Sequence, residues 1–142
     1  MDGTLLRKDK TVSERTKKAI EDARKKGVTV VLATGRPIDG VTKYLEELDM
    51  YGENDYVLSY NGGLVLKTKN REAICKIGLT GEDLHYLYEI SKELGVNIHA
   101  FSETKGLITP KNSKYTEVEA NINNIKINIE DFNKLEKDHS II

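Results

Sequence analysis

"VVLATGRP", residues 30–37, joins an apolar, β-branched run to a glycine, an arginine and a proline. The run reaches back to Val28, lies between Gly27 and Gly35, and is flanked by two helix-like patterns. That combination predicts a strand buried on both faces of a parallel sheet. Beyond Pro37 the chain turns into a helix, because Val41, Tyr44, Leu45 and Leu48 recur at i, i+3, i+4 and i+7. The strand's end thus gathers the Thr34 hydroxyl, the N–H groups of Gly35 and Arg36, and a helix N-terminus. Such a corner suits a phosphate. An ordinary strand-to-helix turn has the same outline, so the rest of the chain has to decide.

Working outward, the chain opens on "MDGTLL", an acidic turn centred on Asp2, followed by the polar loop "RKDKTV". The charges of "RKDK" are expected to be solvated. Ser13 is a good N-cap for "SERTKKAIEDARKKG", whose Thr16, Ala19, Ile20 and Ala23 share one face. Lys25 and Lys26 favour the negative end of that helix, and Gly27 supplies its C-terminal cap. Strands are predicted at "DYVLSY", "LVLKT" and "AICKIG", with Asn61-Gly62 as a hairpin signal between the first two. Cys75 reads as a small strand residue.

Rhythm changes near Leu79. Thr80 can cap "GEDLHYLYEISKELG", where Leu84, Leu87, Tyr88 and Leu94 form an apolar stripe. "VNIHAF" and "GLIT" read as a strand pair. A short helix at "KYTEVEA", a strand at "NIKINI" and a helix begun at "EDFNKLEK" complete the expectations.

Twenty-two basic and 23 acidic residues leave a net charge of −1 in 142 residues. The balance argues against nucleic-acid or anionic-membrane surfaces, which need a basic excess. No apolar run nears the ~20 residues of a membrane helix, and no signal peptide is visible. One cysteine excludes a disulfide framework and a thiolate metal cluster, and favours a reducing, cytoplasmic setting. His85, His99 and His139 share no metal-ligand spacing.

"MDGTLL", "VVLATGRP" and "LSYNGG", in that order and spacing, resemble the haloacid dehalogenase superfamily of phosphatases, and more narrowly its Cof-type sugar-phosphatase branch. The resemblance implies an α/β fold: a Rossmann-type parallel-sheet core over residues 1–79 and an inserted α/β cap over 80–142, both incomplete. In that family the first motif reads Asp-x-Asp-Gly-Thr-Leu. Its first Asp attacks phosphorus, and its second protonates the leaving group and then deprotonates water. Mg²⁺, held partly by the first Asp and by the backbone carbonyl of the second, neutralises the phosphoryl oxygens.

Carried over, Asp2 matches the acid/base, and its backbone carbonyl a metal ligand. Met1 matches the intervening residue, so the nucleophile would stand one residue before it. Thr34 matches the phosphate-binding hydroxyl, Gly35 adds its N–H, and Arg36 orients substrate. Asn61 and Gly62 match a substrate loop, a plain hairpin turn being the other reading. The family's later Lys and Gly-Asp motifs have no counterpart here; Glu130 and Asp131 fit the solvated first turn of a helix. These gaps lead to the expectation that the chain is a piece cut at both ends, with negligible turnover of its own. The parent would use Mg²⁺ to hydrolyse a small phosphorylated metabolite. The competing reading is a non-catalytic interaction module that self-associates through exposed sheet edges. A receiver-like signalling domain is disfavoured, since no acidic cluster follows a first strand.

Overall fold

The structure, a computed structural model, describes residues 1–142. It divides into two compact units, Met1–Lys76 and Ile77–Ile142. Residues 77–79 fall in the second unit because Leu79 exchanges both backbone hydrogen bonds with Ile141, at 2.8 and 2.9 Å.

In the first unit, α1 (Glu14–Lys25) starts where the Ser13 hydroxyl accepts the Thr16 N–H at 3.1 Å. Its expected apolar face is only half-buried at Thr16, Ile20 and Ala23, and Ala19 is exposed. Two polar side chains tie the helix down instead. Arg24 reaches the Leu48 and Asp49 carbonyls and the Asp55 carboxylate, and Lys17 pairs with Glu47 at 2.9 Å. The strand β1 is shorter than predicted, Val31–Ala33, and is followed by α2 (Asp39–Glu47). Then come β2 (Tyr56–Ser59), β3 (Leu64–Lys67) and β4 (Ala73–Lys76).

The sheet order is β1-β2-β3-β4. The β1–β2 pair is parallel, joined through α2, whereas β2–β3 and β3–β4 are antiparallel. Burial of β1 on both faces is not observed: Leu32 is buried, but Val31 is 40% exposed and Ala33 exposed. The physical reason is its place at the sheet's edge, where one neighbour covers it instead of two. Val57, Leu64 and Leu66 of the sheet are buried with Val41, Tyr44, Leu45 and Met50, forming the apolar interior of this unit. The Asn61-Gly62 signal yields a wider turn than a two-residue hairpin. Ser59 pairs with Leu64, and the intervening Tyr60, Asn61 and Gly62 all take positive φ.

In the second unit, Thr80 and Asp83 form a reciprocal capping box on α3 (Gly81–Leu94), and Gly95 closes it in the left-handed conformation. Leu84 packs with Ile108, Phe132, Leu135 and Ile141, and Tyr88 lies against this cluster. The predicted stripe is therefore divided: Leu87 and Leu94 face outward, Leu94 at 69% exposure. The strands β5 (Ala100–Ser102), β6 (Gly106–Thr109) and β7 (Ile127–Ile129) form a sheet in that order. The β5–β6 pair is antiparallel and β6–β7 parallel, α4 (Lys114–Asn123) making the crossover. Asn124 caps α4 with a left-handed backbone, so the strand begins later than "NIKINI" suggests. No α-helix forms at "EDFNKLEK": only a 3₁₀ turn, Phe132–Lys134, follows, which drops the Phe132 ring fully into the core. No helix is long and apolar enough to cross a membrane.

Candidate functional site

The loop at residues 1–6 sits beside the end of β1. The Met1 nitrogen donates to the Ala33 carbonyl at 3.5 Å, and the Met1 carbonyl accepts the Thr4 and Leu6 N–H groups, curling the loop. The curl presents the Asp2 carboxylate to the turn after β1. There Arg36 Nε donates to Asp2 Oδ2 at 2.9 Å and Arg36 Nη2 to Oδ1 at 2.8 Å. Parallel donation of this kind is the strong, orientation-fixing form of an ion pair. Arg36 is 6% exposed and also donates Nη1 to the Gly40 carbonyl at 3.3 Å, while its guanidinium lies 5.7 Å from the Tyr44 ring centre.

Lys10 completes the cluster, its Nζ 2.7 Å from the same Oδ1. The expectation that "RKDK" is merely solvated therefore fails at Lys10. The reason is a compact turn: Lys10 N donates to Arg7 O, Arg7 N donates to Thr11 O, and the Asp9 carboxylate accepts from Thr11 N and Oγ1. A sequence signal existed in the alternation of Asp2, Lys10 and Arg36, but nothing local tells which lysine of "RKDK" turns inward. Hydrogen bonds from Arg36 first, and Lys10 second, hold the Asp2 carboxyl well below the usual carboxylate range. Reciprocally, the Asp2 hydrogen bond raises the Arg36 guanidinium further.

Thr34 is held by its N–H to Leu58 O at 3.0 Å, and its hydroxyl accepts the Arg36 N–H at 3.1 Å. The Thr34 hydroxyl proton stays available for donation. Gly35 is exposed. Asn61 and Gly62 come to this same corner. The Asn61 N–H donates to Thr34 O and the Tyr60 N–H to Arg36 O, both at 3.1 Å. A Cβ on Gly35 would stand 2.7 Å from Asn61 Oδ1, so the missing side chain is what lets the amide lie over the turn. The predicted residues Asp2, Thr34, Gly35, Arg36 and Asn61 thus form one cluster, with Gly62 next to it in the β2–β3 turn.

The magnesium expectation fits this cluster poorly. No group of three or more His, Cys, Asp or Glu is gathered that could hold a metal ion. Both Asp2 carboxylate oxygens already face cationic donors. One backbone carbonyl cannot satisfy a cation that prefers about six oxygens.

The haloacid dehalogenase-like hydrolase profile matches residues 1–142. The chain is 39% identical over 140 residues to a protein of Bacillus subtilis (strain 168) named "Putative phosphatase YxeH", covering 97% of this chain and 52% of that one. A crystal structure of a haloacid dehalogenase-like hydrolase from Bacteroides thetaiotaomicron superposes with a TM-score of 0.80 at 28% identity, over 95% of this chain and 52% of that one. The subclass IIB sugar phosphatase BT4131 superposes with a TM-score of 0.77 at 23% identity, over 100% of this chain and 54% of that one, a likeness of fold. The chain spans about half the length of the curated relatives it matches. Sequence and fold agree that the chain belongs to the haloacid dehalogenase-like hydrolase family.

Proposed function

We propose that these residues form the phosphate-binding and proton-transfer corner of a phosphatase acting on a small phosphorylated metabolite such as a sugar phosphate, in the Cof-type manner. The observation that carries this reading is the meeting of Asp2 with the Thr34–Arg36 turn, sequence motifs 34 positions apart. On this reading residues 1–76 belong to the catalytic core and 77–142 to its cap.

The proposed roles follow from the donors. The Thr34 hydroxyl and the Gly35 N–H hydrogen-bond the phosphoryl oxygens, and the helix beyond adds a favourable dipole. Arg36 orients the Asp2 carboxylate, which at neutral pH is ionised and so able to accept a proton from the attacking water. To serve as the acid in the preceding step, Asp2 must first take up a proton from solvent, which becomes easier once an incoming phosphate draws a cation away from the carboxylate. Asn61 and Gly62 border the site from the β2–β3 turn.

On this reading the corner binds phosphorylated sugars through their phosphate. Calorimetric titration with a sugar phosphate and with the same sugar unphosphorylated tests this. Binding confined to the phosphorylated form supports the reading, and equal behaviour of the two sugars contradicts it.

A second reading, self-association through sheet edges, draws on β4. Ile74 is 50% exposed on that edge strand, all of whose residues are exposed. Gel filtration separates the two: a monomer at high concentration argues against edge pairing.

A further inference from the structure

We propose that Lys10 is the cation that captures the substrate's phosphate, while Arg36 serves to position Asp2. This deepens the phosphate-site reading above and rests on it.

Three observations separate the two cations. First, the Arg36 side chain is almost entirely buried and directed at protein acceptors: Nε and Nη2 on Asp2, Nη1 on Gly40 O. Its backbone N–H is turned toward Thr34 Oγ1. Lys10 has half of its side chain exposed. Its bond to Asp2 uses one of the three N–H donors an ammonium carries, so the others can point at an anion.

Second, Lys10 is fixed in place from behind. It takes φ 64°, a left-handed conformation that costs a lysine of order 1 kcal/mol and persists only where surroundings impose it. The Tyr44 hydroxyl donates to the Lys10 carbonyl at 3.0 Å, and Tyr44 is fully buried in α2. The same ring lies near the Arg36 guanidinium, so one core residue sets both cations against one carboxylate.

Third, the charges do not cancel. Two cations share Asp2, leaving the cluster one positive charge in excess. A phosphate monoester carries about −1.5 to −2 at pH 7, which such an excess attracts and a second carboxylate would repel. As the anion engages Lys10, one of the bonds restraining Asp2 Oδ1 is released. No covalent step is involved.

The test is calorimetric titration of the 142-residue chain with inorganic phosphate, at two salt concentrations. Lys10→Met should weaken phosphate binding about tenfold, the order expected for one lost charge-assisted hydrogen bond, and flatten its salt dependence. Lys10→Arg should retain most of the affinity. Tyr44→Phe, which frees the Lys10 carbonyl, should weaken binding by a smaller factor with the fold checked by circular dichroism. Phosphate binding by Lys10→Met equal to that of the parent would overturn the role of Lys10 while leaving the phosphate site standing. A parent chain that shows no saturable phosphate binding would overturn both.

Discussion

Asp2 and Arg36, 34 positions apart in sequence, face each other as a fork, Nε to Oδ2 at 2.9 Å and Nη2 to Oδ1 at 2.8 Å. The fork sets the ionisation of Asp2. Because its folded-state value lies below the usual carboxylate range, the pair's contribution to stability is fully present above the unfolded value of about 3.9. It is lost only as pH falls below that, through the folded value. Carboxyl ¹³C titration should therefore show Asp2 still ionised at pH 3 in the parent chain. In Arg36→Met the midpoint should rise toward 3.9. With Asp2 41% exposed, solvent screening limits the pair to about 1 kcal/mol.

Asp55 predicts a larger effect on stability. Its buried carboxylate accepts from Arg24 Nη2 at 2.5 Å and from Gly52 N at 2.7 Å, while its carbonyl accepts from Thr68 N and Oγ1. Asp55→Ala leaves Arg24 Nη2 without its carboxylate and the Gly52 N–H without its acceptor. Thermal or urea unfolding should report a loss of about 3 kcal/mol.

At the β2–β3 turn, Asn61 holds φ 56°, ψ 29°. Asn61→Gly should preserve stability, whereas Asn61→Ala should cost about 1 kcal/mol in denaturant unfolding, since alanine tolerates this backbone less well. Gly35→Ala should instead push the Asn61 amide aside, visible as a shift of its side-chain NH₂ resonances.

How much of this was legible in the sequence depends on locality. Ser13, Thr80 and the α2 periodicity act over one or two turns, and α1 and α3 start where Ser13 and Thr80 cap them. The meeting of Asp2 with the Thr34–Arg36 turn was implied by the family resemblance alone, since no single stretch of the sequence contains that proximity. Two features escaped. Edge position left β1 half covered, a property of strand order that its own apolar run does not record. Lys10 meets Asp2 from a local turn that Tyr44, on another element, braces through the Lys10 carbonyl. The stretch "EDFNKLEK" shows the converse: a helical pattern lost to the burial of one ring, Phe132.

Gly81 tests the second unit on its own. A Cβ there would lie 2.0 Å from the Glu136 carbonyl oxygen, a backbone atom that cannot swing away. Gly81→Ala should displace residues 136–142 and break the Ser102–His139 hydrogen bond of 2.8 Å. A loss of about 2 kcal/mol or more is expected in unfolding, with Leu84 and Ile141 losing amide protection together.

On the proposed function, the corner formed by Asp2 and the Thr34–Arg36 turn receives a phosphate. Two-dimensional ¹H–¹⁵N spectra recorded during titration with inorganic phosphate read it directly. Saturable shifts concentrated at the amides of Asp2, Thr34, Gly35 and Arg36 are the predicted result. Shifts scattered over the lysine-rich surface, with Gly35 unmoved, would contradict it.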